Sequence, residues 1–236
     1  MDQDEVDWVE KQTRGQRTNP DWFDWRRNRI TASLAHDIDH CRFVNGKSSV
    51  PPASYLAEIT GEGPRFQTRA MRWGVKMEAW AVRRYQELKS EVLGRQVQVQ
   101  DCGLFIDPQN PWLAASPDRI VTDRRRGRQL VLEVKCPFKH RHSWVEDACE
   151  DRDFCLEIQG TDEHGEPVYG LKTSHRYFTQ VQVQMAVTGL QRADLVVFTL
   201  WETVLVPVNF NAEWWEETLP RLDWFYRVAV LPHIQH

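Results

Sequence analysis

Two stretches, Ala114-Ala115-Ser116-Pro117-Asp118-Arg119-Ile120-Val121-Thr122 and Leu130-Val131-Leu132-Glu133-Val134-Lys135-Cys136-Pro137, decide how this chain is read. Both are short runs rich in β-branched and small apolar residues, and the basic turn Arg124-Arg125-Arg126-Gly127-Arg128 separates them, so they predict two adjacent strands. Side chains alternate across a strand, which puts Glu133 and Lys135 on one face and Val134 on the other. Glu133 lies between Leu132 and Val134 in a run with the character of a buried central strand. A carboxylate there is costly without a partner, and a metal ion or Lys135 supplies the compensation. Asp118 and Glu133 offer the hard oxygens that Mg²⁺ prefers, and an amine two residues away can act on metal-bound water. The bland alternative is a surface strand with alternating charges.

The 236 residues suit one domain with a substantial core. No apolar run approaches the roughly 18–20 residues needed to span a bilayer. The acidic start, Met1-Asp2-Gln3-Asp4-Glu5-Val6-Asp7, has no apolar stretch, so no secretory signal is expected. Five scattered cysteines with no CxxC pair read as reduced thiols in an intracellular protein, of cytoplasm or nucleus, with neither zinc nor a disulfide frame. The net charge of −4 is unevenly spread: residues 1–10 hold five acids and no Lys or Arg, and residues 146–166 hold nine acids against Arg152. The remainder is therefore basic, which is compatible with a phosphate-backbone partner, the bland alternative being that most of these Lys and Arg are merely solvated.

The first 20 residues read as polar, acidic and flexible, followed by a single domain over 21–232 with an acidic insert at about 139–175. Met77, Trp80, Ala81, Tyr85 and Leu88 recur at helical spacing across Trp73–Leu88, with Glu78 at the edge of that stripe. Gln96–Gln100, Gly103–Ile106, Ala114–Thr122 and Leu130–Cys136 read as strands, Tyr177–Val187 as a helix, and Asp194–Leu200 with Thr203–Val208 as a hairpin. A helix over Asn211–Val228 is expected to kink or divide at Pro220. The long connection 137–176 is expected to hold a small β-excursion. The layout is α/β or α+β, with the candidate site on a central sheet.

Glu78 reads either as an ordinary helix-surface glutamate or as a further carboxylate for the metal cluster. Gln182 aligns on its helix with Phe178, Met185 and Ala186, so its amide is expected to be buried and in need of partners, whereas Gln180 and Gln184 fall on the side expected to be solvated. Arg26, Ser33 and Ser116 are ordinary singly, but one guanidinium and two hydroxyls together suit a terminal phosphate. Trp22, Trp25 and Trp73 are candidates for stacking on a base.

The spacing Asp-x(14)-Glu-x-Lys resembles the signature of metal-dependent nucleases with the restriction-endonuclease-like PD-(D/E)XK fold. Arg26…Ile30-Thr31-Ala32-Ser33, Gly74-Val75-Lys76-Met77-Glu78, Ala115-Ser116-Pro117-Asp118, Leu132-Glu133-Val134-Lys135-Cys136-Pro137 and Tyr177-Phe178-Thr179-Gln180-Val181-Gln182 occur in order. In this the chain is similar, over roughly residues 20–230, to the YqaJ-type viral recombinase family, which includes the lambda phage exonuclease and relates more distantly to the herpesvirus alkaline nucleases. The resemblance implies a central mixed β-sheet flanked by helices and a Mg²⁺-dependent 5′→3′ exonuclease, with Mn²⁺ as a substitute. Its substrate would be linear double-stranded DNA ends, its products mononucleotides and 3′ single-stranded tails for recombination or end resection. It also implies that Asp118, Glu133, the Val134 carbonyl and Glu78 hold metal, that Lys135 orients or deprotonates the attacking water, and that Gln182 lies near the nucleophile. Arg26, Ser33 and Ser116 would grip the 5′-phosphate. A single-strand annealing protein is the implied partner, and a ring-shaped trimer occurs among phage relatives. Arg119 stands where the family often has glycine, and the stretch 146–166 is an elaboration on the short phage enzymes. An endonuclease or DNA/RNA nuclease of the same fold, and a non-catalytic DNA-end-binding module, remain as alternatives.

Overall fold

In the computed structural model, which describes residues 1–236, the two diagnostic stretches meet at the centre of a mixed sheet. Helices α1 (Gln3–Gln12) and α2 (Pro20–Arg26) lead into strand β1 (Ile30–Thr31) and helices α3 (Ala32–His40), α4 (Ala53–Thr60) and α5 (Arg69–Leu93). Strands β2 (Gln98–Gln100), β3 (Phe105–Ile106), β4 (Leu113–Ala115), β5 (Arg119–Asp123) and β6 (Arg128–Lys135) follow. Helix α6 (Val145–Ala148) and the hairpin of β7 (Leu156–Thr161) and β8 (Pro167–Leu171) precede α7 (Arg176–Thr188). The chain ends with β9 (Arg192–Phe198), β10 (Thr203–Asn209), α8 (Ala212–Phe225) and α9 (Leu231–Gln235).

The main sheet has the order β10-β9-β6-β5-β2, with β6 and β9 parallel and the other pairs antiparallel. A smaller sheet, β1-β4-β3, lies beside it. Ala114–Thr122, expected as one strand, is broken between the two sheets: β4 ends at Ala115 and β5 begins at Arg119. Pro117 cannot donate to a ladder, so the chain leaves one sheet and enters the other across Ser116-Pro117-Asp118. Asp118 therefore stands at the mouth of β5, next to the end of β6.

Alternation along β6 sorts its residues between two helices. Leu132 packs with Tyr85 of α5 and with Val121 and Val196 on one face. Val131 packs with Phe178, Val181 and Met185 of α7 on the other. By the same parity Glu133 and Lys135 face α7 and Val134 faces α5. Tyr85 anchors α5 through a 2.6 Å hydrogen bond to the buried Asp194 carboxylate, which Lys89 also reaches at 2.9 Å. That pairing satisfies a charge that would otherwise be costly to bury.

Two sequence-based expectations change, and a third is borne out. The N-terminal 20 residues are not a flexible tail, because α1 has a complete capping box between Asp2 and Glu5 and buries Val6 and Val9 against Trp22, Leu104 and Ile106. The connection 137–176 holds the expected β-excursion as the β7–β8 hairpin, and Val145, Ala148, Phe154, Leu156 and Leu171 enter the main core. Pro220 lies inside a continuous α8, and a wider turn follows at Tyr226–Val230.

The docking of α1 makes a sharp test. Gly103 N–H donates to Glu10 Oε2 at 2.8 Å and Leu104 N–H to Thr13 Oγ1 at 2.7 Å. A Cβ at Gly103 would lie 2.1 Å from the Glu10 carbonyl oxygen. Gly103→Ala is expected to cost about 1–3 kcal/mol of stability and to open cleavage sites before residue 20 in limited proteolysis. An unchanged urea midpoint and proteolysis pattern would show that α1 is not held there.

His175 caps α7 by accepting the Tyr177 N–H at Nδ1, 3.1 Å away. Burial above all, with Arg176 adding to it, lowers the imidazole from its ordinary 6.5 to about 4. The unfolded chain thus takes up the proton first, and the stability held above pH 6.5 is lost as the pH falls toward about 4. A loss of about 1–2 kcal/mol is expected for this half-exposed ring, and His175→Asn, which keeps a capping acceptor, should flatten that slope in denaturant melts between the two pH values.

Candidate active site

Asp118, Glu133, Val134, Lys135 and Cys136 line one cavity of about 220 Å³, which Glu78, Gly74, Val75 and Met71 of α5 close from the other side. Asp118 Oδ2 accepts the Val134 N–H at 2.7 Å, tying the β5 entrance to β6. Glu133 is buried at 4 % exposure. Its Oε1 stands 3.3 Å from Lys135 Nζ and accepts from Gln180 Nε2 at 3.2 Å, and its Oε2 accepts from Gln184 Nε2 at 2.9 Å. Lys135 Nζ donates to Gln180 Oε1 at 2.8 Å and lies 4.1 Å over the Tyr177 ring centre. Carboxylate and ammonium are thus held by one α7 face composed of Tyr177, Gln180 and Gln184.

Burial first, then repulsion from Glu133 and Glu78, pushes the Asp118 carboxyl well above the usual carboxylate range, against the pull of the Val134 N–H and Lys135. Burial draws the Lys135 ammonium down, but Glu133, Tyr177 and Asp118 outweigh it and leave it above its ordinary value. Of the two roles implied for Lys135, orienting or deprotonating the attacking water, its place among these carboxylates favours the first. Burial pushes the Cys136 thiol up to about 12, so it is no nucleophile here.

The donor set fits a hard divalent cation. Three carboxylates face one small space and repel each other, and the buried Gln184 Oε1 beside Glu133 has no donor. An excess of oxygen acceptors over donors is what Mg²⁺ satisfies. As the side chains stand, no three of the acids are at ligating geometry around one point. Glu78 is drawn toward Arg119 at 3.8 Å, and Glu133 has both oxygens on the glutamines. Arg119 also reaches Asp101 at 3.0 Å and donates to the Asp118 carbonyl at 2.6 Å, so it braces the acidic cluster from the side.

Arg26, Ser33 and Ser116 do not line that cavity: Arg26 ends α2, Ser33 lies in the first turn of α3 and Ser116 follows β4. The Arg26 guanidinium lies 4.0 Å over the Trp22 ring, whose Nε1–H donates to Ser116 Oγ at 2.8 Å. The parallel register of Thr31 with Ala114 sends Ser33 and Ser116 off the same end of the sheet. Ser116 is two residues from Asp118. Trp22 is thus the link between the guanidinium and the hydroxyl, and its near-complete burial makes it a structural member of this group rather than a free stacking platform.

Gln182 is not at this site. It is fully buried, but its Nε2 donates to the Asn209 carbonyl at 2.9 Å and its Oε1 accepts the Asn211 N–H at 2.8 Å, stapling the turn from β10 to α8. Gln180 and Gln184, expected on the solvated side, are the ones that hold Glu133. The reason is that α7 is buried almost all round, so its apolar pattern marks no single inward face. The usable signal was the polar trio Tyr177, Gln180 and Gln184 at helical spacing. Gln182→Ala is expected to cost about 1–3 kcal/mol by orphaning two backbone groups without changing turnover per folded molecule. Gln180→Ala should leave the melting midpoint within about 1 kcal/mol and lower turnover at least about ten-fold. The reverse allocation in melts and rates would return the role to Gln182.

A YqaJ-like viral recombinase domain matches residues 21–191. The alkaline nuclease of Autographa californica nuclear polyhedrosis virus is 26% identical over 216 residues, covering 88% of this chain and 48% of that protein. The chain thus spans about half the length of this viral relative. The alkaline exonuclease LHK-Exo of Laribacter hongkongensis, solved with dAMP, superposes with a TM-score of 0.62 at 21% identity, over 91% of this chain and 93% of that one. A SOX–DNA complex gives a TM-score of 0.60 at 14% identity, over 94% and 70%. At these identities the solved structures speak for the fold, which is α+β as the strand pattern predicts. With the motif order, the two-sheet geometry and a family match over most of its length, the chain belongs to the YqaJ-like viral recombinase domain family.

Proposed function

We propose that this chain is a divalent-metal-dependent deoxyribonuclease, an exonuclease that degrades one strand of linear duplex DNA from its 5′ end. Its products are mononucleotides and a 3′ single-stranded tail, which a single-strand annealing protein would take up. The observation that carries this reading is the meeting of Asp118, Glu133, Lys135 and Glu78 around one small cavity. The name of the viral relative, an alkaline nuclease, and the mononucleotide in the LHK-Exo structure are in keeping with it.

Asp118, Glu133 and the Val134 carbonyl, with Glu78, would hold Mg²⁺, or Mn²⁺ in its place. When bound, such an ion acidifies water and neutralises charge on the phosphoryl oxygens. Lys135 contributes direction: with its ammonium fixed by Gln180 and Glu133, it orients the attacking water toward the phosphorus. Gln180 touches both groups, so it sets their relative position. Arg119 offsets part of the carboxylate charge that would otherwise repel the DNA backbone. Arg26, Ser33 and Ser116 would receive the 5′-phosphate, the guanidinium binding it as a charged fork.

The test is digestion of linear duplex DNA with Mg²⁺, comparing 5′-phosphorylated with 5′-hydroxyl ends and a closed circle. Mononucleotides released from phosphorylated ends, with the circle intact, are expected. Cutting of the circle would move the chain to the endonuclease reading, and end binding without cleavage would make it a non-catalytic module. Lys135→Ala should slow cleavage by about 10²–10⁴-fold while Mg²⁺ still shifts the thermal midpoint. Asp118→Ala should lose that Mg²⁺ shift, and Arg26→Ala should lose the preference for phosphorylated ends.

A further inference from the structure

On the side of α5 turned away from Glu78 lies a second, open cavity of about 240 Å³, lined by Arg69, Arg72, Trp73, Lys76 and Phe138. At about 100° per residue, positions 69, 72, 73 and 76 fall on one helical stripe, which Trp80 and Arg83 continue. Trp73 meets Phe138 edge-on with ring centres 6.2 Å apart, and Arg83 lies 5.3 Å over the Trp80 ring, itself 60% exposed.

This stripe does not stabilise the helix. Arg69 and Arg72 are three residues apart and Arg72 and Lys76 four, spacings at which like charges repel. None of the three has a carboxylate partner, whereas Arg84 further along α5 pairs with Glu87 at 3.0 Å and Arg119 with Asp101 at 3.0 Å. The Trp73 indole N–H is buried without an acceptor. Unpaired cations set among aromatic faces are the composition that binds a nucleic-acid strand. The cavity is smaller than the about 300–1,000 Å³ of pockets that enclose a whole small molecule, so it suits one unit of a polymer.

We infer that this stripe binds unpaired nucleic acid. One base stacks on Trp73 beside Phe138, the adjoining phosphates meet Arg69, Arg72 and Lys76, and the strand runs on to Trp80 and Arg83. A duplex is excluded as the occupant of the cavity because its bases present edges, and an aromatic ring needs an open base face. From Arg69 to Arg83 the helix rises about 20 Å, room for about six phosphates at duplex spacing. On the exonuclease reading, from which this follows, the strand is the uncut one. The body of α5, about 10 Å across, would part it from the strand entering the carboxylate cavity.

The site can be tested without cleavage, by anisotropy in EDTA with a labelled blunt duplex and the same duplex bearing a 3′ tail of about ten thymidines. The tail is expected to tighten binding about ten-fold. Trp73→Ala should remove that gain and Trp73→Phe keep most of it. Arg69→Glu with Arg72→Glu, which alters only exposed side chains, should also remove it and flatten its salt dependence. Equal affinity for blunt and tailed duplex, or variants that weaken both alike, would overturn the proposal. A tail preference in a protein that never cleaves DNA would uphold this site while removing the nuclease reading, so the two fail separately.

Discussion

The arrangement depends on one constraint: a carboxylate, Glu133, is buried on the central strand of a mixed sheet, and everything near it offsets the cost. Lys135 shares its face because strand side chains alternate, so the compensating charge comes from two residues further along the same strand. Gln180 and Gln184 occupy both carboxylate oxygens. Asp118 is tied to the same strand through the Val134 N–H. A purely structural ion pair would need none of the further acids. Here Glu78 and Asp118 add repulsion at the same place, and the fold carries that cost through the anchoring of α5 by Tyr85 and Asp194. A divalent cation, as proposed for this site, would offset that repulsion.

Helix α5 shows how one element serves several ends. Only Met77, Ala81 and Tyr85 of its 25 residues are buried, at four-residue intervals along one line. That narrow seam fixes the helix to the sheet and leaves most of its circumference for other work. One flank brings Glu78 and Gly74 to the carboxylate cavity. The other carries the cationic and aromatic stripe. A helix with a broad apolar face could not present two such surfaces.

The sequence made the central strands, the place of Asp118, Glu133 and Lys135, and the mixed sheet legible, because period-2 alternation and a charged turn are local signals. Three features were hidden because they are set by contacts distant in the chain. The acids of residues 1–10 suggested a free tail, but Gly103 offers a surface without a side chain into which Glu10 and Thr13 fit. The break at Ser116-Pro117-Asp118 was masked by apolar residues on both sides, since each belongs to a different sheet. The glutamines of α7 could not be sorted by hydrophobic pattern, because that helix is enclosed by the sheet on one side and by α3 and α8 on others. For such a helix only the identity of the facing groups, here Glu133 and Lys135, says which amide matters.

The net charge of −4 would mislead if spread evenly, and the fold shows why it is not. The acidic hairpin β7–β8 packs beside β10, at the edge of the sheet order β10-β9-β6-β5-β2. The carboxylate cavity opens at the β5–β6 pair, two strands inward from that edge. The hairpin contributes Leu156 and Leu171 to the core while its acids stay in solvent. Glu10 is consumed by Arg14 and Gly103. With those acids set apart or already paired, the unpaired cations of α5 are left to govern the field close to the site. Segregation of charge by folding, rather than its total, is what would make a polyanion an acceptable partner for this acidic chain.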